Sequence, residues 1–283
     1  MLMFFRIIAL DIDGTLTDSG KEITPETRAR LISYQQNGGR VILASGRPTQ
    51  GIMPYADILE LGRYGGYILS YNGGCAIDCR TGSVLFRTEL PLSVIPEICE
   101  VIRDYPVGIS TCEGDTIIAG NNINKYTELT ARINRMAIRY VTDFPRYVSF
   151  PVNKCLLHGE PEHILELERI LTEKYSGKLG VFRSEPFFLE IVPDGVDKAG
   201  AIDRLIDSLG IKAEECIACG DGFNDISMIR YAGLGIAMAN ASEQVKKAAD
   251  YVTRSNDEDG IAYVLERLTE NRGCYSHAER SKP

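Results

Sequence analysis

The chain has 283 residues, of which 44% are apolar, and its 39 acidic residues against 31 basic ones give a formal charge of -8. That apolar content is ample for a buried core in one large or two smaller domains, and it excludes disorder of the chain as a whole. The acidic balance argues against a general binder of nucleic acid or membrane surfaces, so a small anionic ligand would need a local positive site.

No run of about 18 apolar residues occurs, so no membrane-spanning segment is expected. Arg6 interrupts the apolar stretch Met1 to Leu10, and acidic residues follow where a signal peptide needs a small-residue cleavage site. A cytoplasmic location is expected. Cys99, Cys112 and Cys155 lie inside apolar patterns, as free cysteines packed in a core do. Cys216 and Cys219 have CxxC spacing and Cys75 and Cys79 form a looser pair. However, His158, His163 and His277 lack zinc-ligand spacing, and core packing is the expectation for all of these cysteines. Three scattered histidines also speak against a Ser-His-Asp triad.

In chain order, Phe4 to Leu10 reads as a buried parallel strand that runs straight into Asp11 and Asp13. Alternate residues of an extended chain point the same way, so the two carboxylates can face one space with their Cα atoms roughly 7 Å apart. Two such anions call for a bound cation or a retained proton. Gly14 permits a sharp turn beside them. Asp11, Asp13 and Glu22 also match positions 1, 3 and 12 of an EF-hand loop, but Leu16 stands where that loop needs glycine, and a strand leads in.

Thr24 before Pro25 is an N-cap signal, and Gly38-Gly39 closes the helix. Arg40 to Ala44 is a second buried strand delivering Ser45-Gly46-Arg47, and Gly66 to Ser70 a third, ending at Tyr71-Asn72-Gly73-Gly74. This alternation predicts a doubly wound, Rossmann-like α/β core with a parallel sheet, where ligands bind beyond the carboxyl ends of the strands. From about residue 82 the pattern changes. A strand from Ser83, a helical stripe at Ile95, Ile98 and Ile102, and a hairpin around Glu113-Gly114-Asp115 come first. They are followed by a strand at Lys154 to Leu157, a helical stripe at Ile164, Leu167 and Leu171, and strands at Gly180 to Arg183 and Phe187 to Val192.

The expected organisation is therefore a discontinuous core, 1–81 and 191–270, with an inserted α+β cap domain at 82–190 and a disordered tail at 271–283. In the second half, Asp197-Lys198 opens a helix, and Cys216 to Cys219 is a strand entering Gly220-Asp221-Gly222-Phe223-Asn224-Asp225. Gly235 to Met238 is the next strand, Asn240 is expected to cap a helix through Ala248, and Gly260 to Leu268 is a closing helix. Lys198 is notable because a cation in the first turn opposes the helix macrodipole unless an anion lies near.

Taken in order, D-I-D-G-T, A-S-G-R, D-K and G-D-G-F-N-D resemble the haloacid-dehalogenase-like phosphatases over the whole chain apart from the tail. The insert between the second and third of these and the Y-N-G-G loop look most like the Cof-type branch, which dephosphorylates small metabolites. The resemblance implies an Mg²⁺-dependent phosphatase acting through an aspartyl-phosphate on a small phosphorylated metabolite, such as a sugar phosphate. Asp11 is then the nucleophile and Asp13 the acid and base. Mg²⁺ is held by Asp11, the Asp13 carbonyl, Asp221 and Asp225, the last directly, through water or by orienting Lys198. Ile12, Ser45, Gly46, Lys198 and Asn224 hold the phosphoryl group, with Lys198 also catalytic. Arg183 is a candidate cap contact to substrate, as are Lys154 and Arg146. A mutase of the same fold and a non-catalytic metal-dependent module are the alternatives. No nucleic-acid or membrane partner is expected, and the chain is expected to be a monomer or weak homodimer.

Overall fold

The computed structural model describes residues 5–120 and 122–270. The polar tail expected to be disordered lies outside the described residues. The strands in chain order are β1 (Ile7–Leu10), β2 (Arg40–Ala44), β3 (Tyr67–Ser70), β4 (Cys75–Asp78), β5 (Ser83–Arg87), β6 (Gly108–Glu113) and β7 (Thr116–Gly120). They continue as β8 (Ala137–Val141), β9 (Cys155–His158), β10 (Leu179–Glu185), β11 (Phe188–Pro193), β12 (Cys216–Gly220), β13 (Leu234–Ala237) and β14 (Tyr251–Val252). Two compact units are formed, the first from 5–43, 55–67 and 206–270, the second from 44–54 and 68–205.

In the first unit the strands lie in the order β14-β13-β12-β1-β2, all parallel. Ile7, Ile8, Leu10, Val41, Ile42, Leu43, Ile217 and Ile236 are fully buried, which explains why these strands read as continuous apolar runs rather than alternating ones. Each such side chain contributes about 2 kcal/mol of transfer free energy. The chain starts in β1, moves to β2 on one side and later enters β12 on the other. The sheet order therefore reverses between β1 and β12, and such a switch point leaves a crevice at the carboxyl ends of the strands.

The first helix is Pro25–Gln36, capped as expected by Thr24, whose Oγ1 accepts from the Thr27 N–H at 3.2 Å. It packs against the closing helix Gly260–Glu270, with Arg30 paired to Glu266 at 2.8 Å. One expectation fails here. The helix after β13 is the short Glu243–Lys246, with Ser242 at its N-cap position, so Asn240 does not cap it.

The second unit carries β3-β4-β5 and a six-stranded sheet in the order β10-β11-β9-β6-β7-β8. That sheet is antiparallel except for the β7–β8 pair, and its hairpin turns at Gly114, whose φ is +57°. Helices Val94–Val101 and Pro161–Lys174 bury Ile95, Ile98, Ile164, Leu167 and Leu171 in one core with Ile109, Phe144, Leu189 and Ile191. Helix Lys125–Asn134 went unread in the sequence although Asn124 and Thr127 form a reciprocal capping box at its start. Strand β8 was also missed, because as an edge strand it is mostly exposed and lacks a buried alternating face.

Candidate active site

The site residues of the first unit follow from register. Ile7 to Leu10 pair one for one with Cys216 to Cys219, and the Asp11 N–H extends the ladder by donating to the Cys219 carbonyl at 3.1 Å. Strands β1 and β12 thus end side by side, and the loops after them start from the same edge. Asp11, Asp221 and Asp225 each offer a carboxylate oxygen there, all within 4.8 Å of one another. Asp11 is 6% exposed and Asp225 is fully buried.

Local hydrogen bonds hold these loops. Asp225 Oδ2 accepts from the N–H groups of Asp221 at 3.0 Å and Gly222 at 2.8 Å, so it fixes the turn that aims Asp221. A Cβ at Gly220 would lie 2.4 Å from the Asp225 Cβ, so this buried carboxylate fits only over a glycine. On the facing loop, Ile12 C=O accepts from the Thr17 N–H at 3.0 Å and from Thr17 Oγ1 at 2.9 Å. Gly14 takes φ +82°, and a Cβ on it would stand 2.4 Å from Asp221 Oδ2. Both the backbone conformation and the close approach demand glycine.

Two residues of this site were not foreseen. Thr15 Oγ1 donates to Asp221 Oδ1 at 2.8 Å, and Asn240 Nδ2 donates to the Gly14 carbonyl at 2.8 Å and lies 3.5 Å from Asp221 Oδ2. Thr15 carried a signal, standing beside the acidic pair in the sequence; Asn240, more than two hundred positions from Gly14, carried none. Asp13 is not one of the three grouped carboxylates. Its side chain is partly exposed and pairs with Lys21 at 2.9 Å.

Three like charges this close repel by about 3 kcal/mol per pair even at an effective dielectric near 20. A hard divalent cation such as Mg²⁺ suits the all-oxygen donor set of Asp11, Asp221 and Asp225. These acidic groups can equally serve as nucleophile and proton carrier, as carboxylates do in phosphoryl transfer.

Asn224 stands in the turn Phe223–Asp225 of the first unit, beside Phe223, which is 65% exposed. In the second unit, the loop after β2 is held on almost every backbone group. Ser45 N–H donates to Leu69 C=O at 2.9 Å, Ser45 C=O accepts from the Asn72 N–H at 2.9 Å, and Arg47 C=O accepts from the Tyr71 N–H at 3.0 Å. Ser45 Oγ accepts from the Arg47 N–H at 3.2 Å, so it shapes the loop rather than capping the helix Thr49–Ile58. Among the described residues, the Gly46 N–H has no acceptor. Tyr71 and Asn72, which brace this loop, both take the left-handed φ of +55°, a strained arrangement that clusters at functional sites.

Lys198 is fully buried as the first residue of helix Lys198–Ser208, where Asp197 Oδ1 accepts from the Gly200 N–H at 2.8 Å. Arg183 pairs with Glu168 at 2.7 Å, and Arg146 N–H is bound to Asp143 at the start of a short helix. Lys154 is 9% exposed. The described cysteines form no disulfide, and burial pushes the thiols of Cys155, Cys216 and Cys219 up, as for core side chains.

A parallel α/β sheet with paired acidic loops at its switch point defines a class of α/β proteins suited to binding a cation and an anionic ligand beyond the strand ends. The comparisons narrow it. Residues 8–265 match the haloacid dehalogenase-like hydrolases, and the chain belongs to that family. A haloacid dehalogenase-like hydrolase from Bacteroides thetaiotaomicron is 46% identical, with a TM-score of 0.90 over 93% of this chain and 99% of that one. YxeH of Bacillus subtilis, which carries a phosphatase name, is 29% identical over 267 residues, 93% of this chain and 98% of its own. YitU of the same organism, named a 5-amino-6-(5-phospho-D-ribitylamino)uracil phosphatase, is 28% identical over 264 residues, 92% of this chain and 96% of its own. The chain is a hydrolase with phosphatases among its relatives. No described helix is long and apolar enough to cross a membrane.

Proposed function

We propose that the protein is an Mg²⁺-dependent phosphatase of a small phosphorylated metabolite, with Asp11 as nucleophile. The observation that carries the reading is the meeting of Asp11, Asp221 and Asp225 at the end of β1 and β12. In the first step an Asp11 carboxylate oxygen bonds to phosphorus as the ester P–O bond breaks, and Asp13 gives its proton to the departing alkoxide. In the second, Asp13 takes a proton from water, whose oxygen bonds to phosphorus. The Asp11–phosphorus bond then breaks, releasing inorganic phosphate and free Asp11. The partly exposed Asp13 side chain suits this role, since a proton carrier must reach both leaving group and water.

Asp11, the Asp13 carbonyl, Asp221 and Asp225 would hold Mg²⁺, which supplies positive charge to the phosphoryl oxygens. Ile12, Ser45, the Gly46 N–H, Lys198 and Asn224 provide the donors for those oxygens. The free Gly46 N–H and the buried ammonium of Lys198 are groups of the required kind. Residues 82–190 serve as the cap that meets the leaving group, with Arg183 among its candidate contacts. The substrate in YitU's name carries its phosphate on a ribityl chain, which favours a sugar or polyol phosphate as substrate class.

The experiment is a screen of sugar and polyol phosphates, with an aryl phosphate alongside, for phosphate release in Mg²⁺ and in chelator. Release in Mg²⁺, absent in chelator, is the expected result. Failure to release phosphate from any ester overturns the reading.

A further inference from the structure

Beyond the residues that touch phosphate, the second unit contains a buried charge that the chemistry above does not use. Lys154, immediately before β9, has a side chain only 10% exposed, and its Nζ lies 2.7 Å from Glu190 Oε2 in the middle of β11. Glu190 is anchored in turn, since its Oε1 accepts from Ser184 Oγ at 3.0 Å, and the Lys154 backbone carbonyl accepts from Thr111 Oγ1 at 2.7 Å. Burying an ammonium costs several kcal/mol, and a single carboxylate repays that only in good geometry with its other hydrogens also used. A second contact is present: Nζ donates to the Gly46 carbonyl at 3.0 Å.

That contact falls on the one loose joint of the loop. The peptide plane between Ser45 and Gly46 is held by the Asn72 N–H on Ser45 C=O, and the Arg47 N–H on the next plane is held by Ser45 Oγ. Between those planes stands a residue without a Cβ, which otherwise rotates freely. A Cβ there would lie 3.2 Å from Asn72 Nδ2, a tight contact that the amide would have to yield to. A charge-assisted bond on the Gly46 carbonyl adds a second hold on the Gly46–Arg47 peptide and is about twice as strong as a neutral one. The only backbone group of Ser45, Gly46 and Arg47 without a partner among the described residues is the Gly46 N–H, whose own plane is held through Ser45 C=O.

We propose that Lys154 is a positioning residue. Anchored on Glu190, its ammonium holds the Gly46–Arg47 peptide and so keeps the loop in the shape in which the Gly46 N–H stands as a phosphoryl-oxygen donor. The inference rests on the phosphatase reading and assigns to Lys154 a role toward phosphate, not toward the leaving group.

These two roles separate cleanly in experiment. Lys154→Met, with p-nitrophenyl phosphate and Mg²⁺, is expected to lower kcat/KM by about tenfold to a hundredfold. Orthophosphate inhibition should weaken in parallel, and the same factor should appear with a sugar phosphate. Glu190→Gln, which keeps the volume and loosens the anchor, should show a several-fold loss with the same indifference to leaving group. Full activity toward the aryl phosphate and unchanged orthophosphate inhibition in the variants overturn the proposal, as does a loss confined to the sugar phosphate. If Lys154→Met does not fold, Glu190→Gln decides alone by the same criteria. A wild-type protein inert toward every ester would instead refute the phosphatase reading, so the two failures are distinguishable.

Discussion

The two units treat buried charge in opposite ways. In the second, Lys154 and Glu190 neutralise each other across neighbouring strands, and burial pushes the His158 pKa down to about 4 and so keeps the ring neutral. In the first, three carboxylates of one sign crowd within 4.8 Å at the ends of parallel strands. Opposite charges brought together need no outside partner. Like charges brought together repel, and a cluster of them suits a site made for a cation rather than for the fold.

The largest test of this contrast is Asp11→Asn. It keeps the shape of the cluster but removes the nucleophile, and activity toward an aryl phosphate in Mg²⁺ should fall on the order of 10⁴-fold or more. Hydrolysis at the wild-type rate would break the assignment at its root.

Next comes the acid stability of the second unit. His158 binds its proton in the unfolded chain near pH 6.5 but in the folded one only near 4. Stability is therefore complete above about 6.5, declines as pH falls toward 4, and levels off below, for a total of about 3 kcal/mol. Urea midpoints measured from pH 7 to pH 4 should show this decline, and His158→Leu should flatten that part of it. An identical slope in the variant would locate the acid sensitivity elsewhere.

Lys198→Ala should cost on the order of 10²-fold in kcat/KM, as loss of a phosphoryl-oxygen donor does. The smallest expected effect sharpens the comparison most directly. Mg²⁺ at ~30-fold above its Kd should raise the stability of the wild type by about 2 kcal/mol, read as a shift of the melting midpoint. Asp221→Asn should lose that shift. A shift in Asp221→Asn as large as in the wild type would mean that Asp221 does not hold the ion.

Much of the fold was legible because it is local. The Thr24 cap, the apolar run into Asp11, the hairpin around Gly114 and the stripes at Ile95 and Ile164 all follow from neighbours within a few residues. Where the signals are weaker, elements slipped past, as with the exposed edge strand β8. Asn240 shows a different limit. As a polar residue following a strand it reads as a helix cap, but its amide is spent on the Gly14 carbonyl, 226 positions away. Nothing in its own neighbourhood records that bond.

The amino-acid sequence by itself determined that carboxylates stand at the ends of buried strands, since apolar runs and the turn chemistry of aspartate and glycine are short-range properties. Which of those carboxylates meet was decided only by tertiary structure. The pairing of Ile7 with Cys216 aligns two strand ends, and the reversal of strand order beside β1 opens the space into which both loops turn. Register and strand order depend on how distant apolar faces pack against each other, and the chemistry of the site is inherited from that packing.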